Sequence, residues 1–434
     1  MRPSTLSLFH LGQKFCVGAI CLIWWAGVAV AAPPNVVLIL SDDQCWTDFG
    51  FMGHHEIKTP NLDRLAQQSA CFAQGYVPSS LCRPSLATII TGLYPHQHKI
   101  AGNDPPKGTD RTEMLRHIHR LQTLPKWLAT KGYVSFQSGK WWEGTPADGG
   151  FTAGMTHGDP RRNGRHGDVG LKIGREGMQP IFDFIDGRGD KPFFVWYAPM
   201  LPHQPHTPPD RLLAKYRSEG KPLQIARYQA MCEWFDETCG ELLTFLDQRN
   251  LGRETIVVFV TDNGWIQQPD ADQFAPKSKR SPYDGGLRTP ILVRWPGHIV
   301  PKRIEIPVSS IDIVPTILSA VGIQPQESLP GIDLAQIAAT GKTDRNILFG
   351  EIFEHDVADI DRPESSLLFR WCRERQWKFI APHDSSLPVE LYDLSVDPRE
   401  EMNLAANRPD LASRLRQRIE AWWPLPEVHP PEAK

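Results

Sequence analysis

The sequence predicts an α/β fold with a mostly parallel central sheet flanked by helices, followed by a smaller C-terminal α+β subdomain. Short apolar runs rich in β-branched residues recur along the chain, and such runs are typical of buried strands. Helical patterns lie between them, and strands that alternate with helices indicate a parallel sheet. After residue 315 the alternation stops, and short strands with a closing helix at residues 405–423 predict the α+β region. The five predicted strands are residues 35–40, 133–136, 193–197, 255–260 and 290–295.

Three helices are predicted between these strands. Residues 61–68 have a helical spacing of apolar side chains, and residues 225–249 form a long amphipathic pattern. A shorter helix is expected between Pro84, which suits a first turn, and Gly92, which suits the position after a last turn. Residues 144–177 are rich in Gly, Arg and His, which predicts an ordered surface loop near the site or a disordered one.

We expect a signal peptide over residues 1–31, a catalytic domain over residues 32–340 and a C-terminal subdomain over residues 341–434. Arg2 and Lys14 precede an apolar run at residues 15–30, and Ala29 and Ala31 suit a cleavage site. The run is shorter than the ~20 residues of a spanning helix, so no stable membrane anchor is expected. The prediction is a periplasmic or secreted protein.

Composition excludes several classes of function. The formal net charge of −3 provides no basic surface for nucleic acid. The six cysteines after the signal form no CxxC pair, which argues against a zinc ribbon or a thioredoxin-like site. An exported protein can form disulfides, but the pairing stays open, and Cys232 and Cys239 are expected to pack on a helix rather than bond to each other.

Polar residues follow four of the five predicted strands. In parallel α/β sheets, ligands bind beyond the carboxyl ends of the strands, so these side chains are expected to meet at one rim. They are Asp42 and Asp43 after the first strand, Lys140 after the second, His203 and His206 after the third, and Asp262 and Asn263 after the fourth.

The aspartates and the asparagine predict a cation site. Adjacent carboxylates repel each other unless a cation lies between them. An all-oxygen donor set suits Ca²⁺ or Mg²⁺ rather than Zn²⁺. A single Asp after a strand is more often a helix N-cap, but two such clusters favour the metal.

Cys82 is expected at the N-terminus of the short helix that contains Pro84. Exposed backbone amides and the helix dipole favour an anion at that position. The alternative is a buried structural cysteine, which is the commoner fate of a lone Cys.

With these residues the sequence resembles the sulfatase family, within the alkaline-phosphatase-like superfamily, over nearly the whole mature chain. Each matching segment is short, but their number and order make the resemblance specific. The segments are the first strand with its Asp pair and residues 58–64, 82–92, 139–141, 202–203, 261–264, 283–286, 391–394 and 397–398.

The resemblance implies a role for each matching residue. Cys82 matches the cysteine that formylglycine-generating machinery oxidises to an aldehyde, whose hydrate carries one hydroxyl to attack sulfur and one to expel sulfate. Lys140 and Lys279 match lysines that bind the sulfate oxygens, and His203 matches a histidine that protonates the leaving alcohol. The implied calcium ligands are Asp42, Asp43, Asp262 and Asn263.

Further candidates come from polar residues outside the matching motifs. His206 and Asn103 are candidate substrate contacts, although His206 could instead cap a turn. Candidates with weaker support are Asp104, Arg161, Arg162, Arg165 and His166, for which a solvated loop is the alternative.

Two positions depart from the family pattern. Leu86 stands where the pattern Cys-x-Pro-x-Arg has an arginine that the modifying machinery reads and that supports the nucleophile. Trp142 stands where the family commonly has a histidine beside the nucleophile, two residues after the lysine. Arg83 is a candidate to compensate.

Three functions follow from these observations. The first is hydrolysis of sulfate esters, on a sulfated small molecule or glycan, with formylglycine from Cys82 and a bound calcium ion. The second is a phosphonate or phosphate ester hydrolase on the same scaffold. The third is a member that binds sulfated glycan without cleaving it, since fold does not guarantee function.

Overall fold

The computed structural model describes Met1 and residues 32–426. The predicted signal peptide lies outside these residues, Met1 apart, so it stays a prediction. None of the helices in the described part is long and apolar enough to cross a membrane.

The main sheet has nine strands and is mixed but mostly parallel. Its strands are β1 (Asn35–Ser41), β2 (Ala70–Tyr76), β3 (Val134–Gly139), β4 (Ala153–Gly154), β5 (Phe193–Ala198), β6 (Thr255–Thr261), β7 (Arg288–Arg294), β8 (Lys302–Ile304) and β9 (Val308–Ser309). The order is β4-β3-β5-β1-β6-β7-β2-β8, with β9 paired to β2. Among the described strands of this sheet, only β7 pairs antiparallel with its neighbours, β6 and β2. The predicted mostly parallel sheet is confirmed.

The five predicted strands correspond to β1, β3, β5, β6 and β7, and β2 was not predicted. Its sequence has no β-branched residue and contains Gly75, so propensity did not mark it as a strand. A Cβ at Gly75 would lie 2.4 Å from the carbonyl oxygen of Thr289, so the close approach of β2 to β7 requires glycine there.

Helices cover both faces of this sheet. The helices of the described residues are α1 (Pro60–Gln67), α2 (Cys82–Thr91), α3 (Pro95–His98), α4 (Arg116–Arg120), α5 (Leu124–Ala129), α6 (Gln179–Gly187), α7 (Asp210–Tyr216), α8 (Leu223–Gln248), α9 (Asp284–Leu287), α10 (Ile313–Ala320), α11 (Leu334–Thr340) and α12 (Pro409–Trp422), of which α12 packs on the smaller C-terminal sheet. Successive residues of β1 alternate between two hydrophobic clusters, with Val36 and Leu38 in one and Val37 and Ile39 in the other. The sheet is therefore the middle layer of a three-layer domain.

The predicted helices are present as α1, α2, α8 and α12. Helix α2 ends at Gly92 with φ 73°, the left-handed conformation that glycine adopts at helix ends. Helix α8 directs Met231, Phe235 and Phe245 into one hydrophobic cluster. Helix α12 begins at Pro409, four residues later than predicted, because the proline starts a new first turn.

A smaller antiparallel sheet follows, as expected for an α+β region. Its strands are β10 (Ile347–Phe353), β11 (Leu367–Glu374), β12 (Trp377–Pro382) and β13 (Glu390–Asp393), in that order. Phe379 and Leu391 of this sheet pack with Leu415 and Ile419 of α12 in one hydrophobic cluster.

The cysteines in the described residues are all buried and free. Cys232 and Cys239 lie on α8 without a disulfide, as predicted.

Candidate active site and cation site

The carboxyl ends of β1 and β6 bring the predicted cation ligands together. The two strands pair in parallel with Ser41 opposite Thr261, so the residues that follow each strand are neighbours. The backbone amide of Asp43 donates to Asp262 Oδ1 at 3.1 Å, and Asn263 Nδ2 donates to Asp43 Oδ1 at 2.7 Å. The parallel register therefore produces the cluster that the strand-end argument predicted.

Two buried lysines neutralise this cluster. Lys140, directly after β3, donates from Nζ to Asp42 Oδ1 and, at 3.0 Å, to Asp262 Oδ2. Lys279 donates from Nζ to both carboxylate oxygens of Asp43 at 2.7 Å. Three carboxylates thus share two ammonium groups.

The pKa values follow from burial and from these pairs. Burial by itself raises the pKa of Asp43, but the adjacent charge of Lys279 outweighs it and holds that pKa below its usual range. Burial raises the pKa of Asp262 well above its usual range, because Lys140 offsets only part of the desolvation and Asp42 repels the charge. One carboxylate in the cluster therefore lacks sufficient positive charge around it.

The donor atoms fit a hard divalent cation. Asp42 Oδ2 and Asn263 Oδ1 are buried and have no hydrogen-bond partner among residues 32–426. A buried oxygen without a partner is costly, and oxygen ligands are those that Ca²⁺ and Mg²⁺ prefer. The residues present therefore suit the predicted ion.

Cys82 is the first residue of α2 and lies beside the aspartates. Its Sγ, a carboxylate oxygen of Asp42, one of Asp43 and a ring nitrogen of His203 all lie within 4.8 Å of one another. Cys82 is 2% exposed and lines a cavity of about 470 Å³. The predicted nucleophile and one predicted cation ligand, Asp43, thus line one cavity, and Asp42 lies directly beside them.

The histidines predicted after β5 have different surroundings. His203 lines the cavity, with Nε2 3.4 Å from Asp43 Oδ2, and its Nδ1 lies 2.6 Å from the backbone oxygen of Gln204. That contact assigns a proton to Nδ1, and Nε2 faces the acidic cluster. His206 instead packs against Tyr228, and burial lowers its pKa to about 4. It does not line the cavity.

Asn103 lines the cavity and connects three segments of the chain. Its Oδ1 accepts a hydrogen bond from the backbone amide of Arg83 at 3.0 Å, at the start of α2. Its Nδ2 lies 3.2 Å from His355 Nε2. Of the weaker candidates, Asp104, Arg165 and His166 also line the cavity, whereas Arg161 and Arg162 do not.

Several lining residues were not predicted. Three of them lie within one position of residues that the sequence analysis singled out, but nothing in their own residue types marked them: Gln204, Trp265 and Arg280. His355 is 252 positions from its partner Asn103, so no local pattern connects the two. The unpredicted lining residues are Gln204, Trp265, Gln273, Phe274, Arg280 and His355.

The structure shows what surrounds the two positions that depart from the sulfatase pattern, and what surrounds Arg83. Leu86 is 4% exposed and belongs to the main hydrophobic core. Arg83 forms a buried ion pair with Glu143 at 2.6 Å and does not line the cavity, so its charge is neutralised away from Cys82. Trp142 does line the cavity.

The known proteins that this chain resembles are sulfatases. The family model described as Sulfatase matches residues 34–323, and that of N-sulphoglucosamine sulphohydrolase, C-terminal, matches residues 274–422. Arylsulfatase A of Homo sapiens is 28% identical over an alignment of 469 positions, which covers 90% of this chain and 88% of that protein. N-acetylgalactosamine-6-sulfatase of Homo sapiens is 28% identical over an alignment of 362 positions, which covers 73% of this chain and 68% of that protein.

A solved structure shows the same fold. The structure of Ps i-CgsB in complex with k-i-k-neocarrahexaose has a TM-score of 0.73 at 24% identity and covers 90% of this chain and 93% of that chain. The Sulfatase model spans both strand ends, Cys82, His203 and Lys279. This chain therefore belongs to the sulfatase family and is a sulfuric ester hydrolase.

Proposed function

We propose that this enzyme hydrolyses sulfate esters of a carbohydrate, with formylglycine made from Cys82 as nucleophile and a calcium ion as cofactor. The observation that carries the proposal is the convergence of Cys82, Asp42, Asp43 and His203, whose ligand atoms lie within 4.8 Å of one another. The carbohydrate substrate is supported by the relatives, since one is named for N-acetylgalactosamine 6-sulfate and one structure holds a neocarrahexaose. Export through the predicted signal peptide would give the enzyme access to such glycans.

The cation would be held by oxygens of Asp42, Asp43, Asp262 and Asn263. When bound, it supplies positive charge that stabilises the sulfate oxygens as negative charge accumulates during the reaction. The two partnerless buried oxygens support this assignment. Magnesium shares the preference for oxygen and is the alternative ion.

Lys140 and Lys279 would bind the sulfate group. Both line the cavity and are buried, and in the structure they neutralise the aspartates. A cation among the carboxylates would take over that neutralisation, which leaves the ammonium groups available for sulfate oxygens. Buried, fixed donors of this kind stabilise developing negative charge strongly.

His203 would transfer the proton that the reaction requires. Hydrated formylglycine at position 82 supplies two hydroxyls on one carbon, one to attack sulfur and one to release sulfate. When the bond between sulfur and the sugar oxygen breaks, that oxygen takes a proton from Nε2 of His203, which must carry protons on both ring nitrogens before this step. The contact between Nδ1 and the backbone oxygen of Gln204 orients the ring for this step.

The test combines mass spectrometry with a substrate panel. The protein is expressed with a formylglycine-generating enzyme, and the peptide that contains Cys82 is weighed for loss of the thiol. Turnover of sulfated sugars and 4-nitrophenyl sulfate is compared with that of phosphonate and phosphodiester analogues. Modified peptide and faster turnover of sulfates support the proposal. If the active enzyme keeps an unmodified Cys82 thiol, formylglycine is not the nucleophile. Faster turnover of the phosphorus esters favours the phosphonate or phosphate ester hydrolase.

A further inference from the structure

Three polar side chains lie close to the indole ring of Trp142 at the cavity wall. Lys140 Nζ lies 5.8 Å from the ring centroid, the guanidinium carbon of Arg165 lies 5.6 Å from it, and the ring of His166 lies 5.6 Å away. Cations are attracted to the face of an indole at such distances. The residue that replaces the usual histidine thus connects the sulfate-binding lysine to the loop that carries Arg165.

Asp104 holds Arg165 from the other side. Its carboxylate Oδ1 accepts from Nη1 of Arg165 and also from Nη1 of Arg111. The second Nη of Arg111 donates to the backbone oxygen of Asn103 at 2.8 Å, so Arg111 fixes both Asp104 and the segment before it. Arg165 is therefore held between an aromatic ring and a carboxylate that a second arginine orients.

Arg165 retains donors that nothing in the described structure uses. A guanidinium carries five N–H donors, and Asp104 takes one of them. The Nε of Arg165 is buried and has no hydrogen-bond partner. A positioned guanidinium with unused donors at a cavity wall suits an anionic oxygen group, which it can bind in a bidentate manner.

The local charge also favours an anion. Asp104 faces two guanidinium groups, Arg111 and Arg165. A second carboxylate, Asp356, lies within 4.8 Å of Asp104, but its side chain is 68% exposed, so solvent screens its charge more than that of the half-buried arginines. Arg280 lines the same cavity and forms no ion pair among the described residues. This positive charge is additional to Lys140 and Lys279, which serve the sulfate that is cleaved.

We propose that Arg165 is a second anion-binding point and selects substrates that carry a further carboxylate or sulfate near the ester that is hydrolysed. The inference rests on the proposed sulfatase activity and narrows its substrate class to sugars with at least two anionic groups. Trp142 and Asp104 are positioning residues in this arrangement.

The test compares Arg165→Gln with Arg161→Gln, a matched change in the same loop at a side chain that is 93% exposed. The ratio kcat/KM is measured for 4-nitrophenyl sulfate, for a monosulfated disaccharide with a uronic acid and for a disulfated monosaccharide. We expect Arg165→Gln to lower kcat/KM roughly ten- to a hundredfold for the two substrates with a second anion, mainly through KM, because charge-assisted hydrogen bonds have this strength. We expect a change below about twofold for 4-nitrophenyl sulfate, and none for Arg161→Gln.

The two anion-bearing substrates distinguish a carboxylate from a sulfate as the preferred group. An equal loss on all three substrates, or no loss on any, overturns the proposal. Binding of the disulfated sugar is also measured by calorimetry in a Cys82→Ala background, with and without Arg165→Gln. That measurement separates the two proposals: absent turnover in the wild type counts against the proposed function, whereas equal affinities in the calorimetric pair count against Arg165.

Discussion

Both carboxylate oxygens of Asp43 accept hydrogen bonds from the ammonium group of Lys279 at 2.7 Å, and both side chains are buried. The same oxygens are proposed ligands of the cation. Lys279 and the ion therefore compete for Asp43, and this competition links metal binding to the stability of the protein and to the charge that the cavity presents to a sulfate.

Calcium should stabilise the wild type and have little effect on Asp43→Asn. A ligand that binds only the folded state stabilises it by about 2.7 kcal/mol at a hundredfold excess over Kd. Differential scanning calorimetry with calcium and with a chelator measures the change in Tm. Asp247→Asn, at a side chain that is 65% exposed, is the control and should respond as the wild type does. A full calcium response in Asp43→Asn would contradict the assignment.

Lys140→Met should destabilise the calcium-free protein by about 3–5 kcal/mol, because it leaves the buried carboxylates of Asp42 and Asp262 without their partner. Calcium should recover most of this loss, since the ion supplies the missing positive charge. Urea unfolding with and without calcium measures both values. A loss of equal size in both conditions would show that the ion does not bind between these carboxylates.

Leu86→Arg, which restores the family pattern, should destabilise this protein by several kcal/mol. Leu86 is 4% exposed within the main core, and an arginine there would be buried without a described partner. Leu86→Met is the matched control and should cost less than about 1.5 kcal/mol. Chemical denaturation measures the difference. If the arginine variant proved as stable as the control, the helix would have room for the family residue.

The buried carboxyl of Asp48 should make stability depend on pH. Burial raises its pKa to about 7, although Tyr228 donates a hydrogen bond to it at 2.5 Å. Between pH 4 and 7 the folded protein keeps this proton, whereas the unfolded chain has lost it. The free energy of unfolding therefore falls as pH rises through this range. The loss is complete above pH 7 and totals a few kcal/mol. The urea midpoints at pH 4.5 and 7.5 measure this loss of stability. Asp48→Asn should reduce the loss, and Asp247→Asn should leave it unchanged.

Much of the architecture follows from short-range patterns in the sequence. Apolar runs predicted five strands of the main sheet, because a strand buried on both faces needs a continuous apolar sequence. The proline and glycine around α2 predicted its ends, because each residue restricts the backbone locally. Strand β2 was missed, since its place in the sheet depends on packing against β7 rather than on its own propensity.

The candidate site likewise contains residues that the sequence could predict and residues that it could not. Asp42, Asp262 and Lys140 could be predicted because each directly follows a strand and the sheet topology brings strand ends together. His355 could not, because the contact with Asn103 spans 252 positions and depends on the small sheet packing beside the cavity.

The sequence by itself determined the family, the strand ends that carry the oxygen donors and the position of Cys82 at a helix start, because these features are encoded by neighbouring residues. Only the tertiary structure decided which charges are paired. It placed Arg83 against Glu143, Leu86 in the core, and Arg165 between Trp142 and Asp104. The physical reason is that pairing energies depend on distance and burial between segments far apart in the chain, and these exist only once the chain has folded.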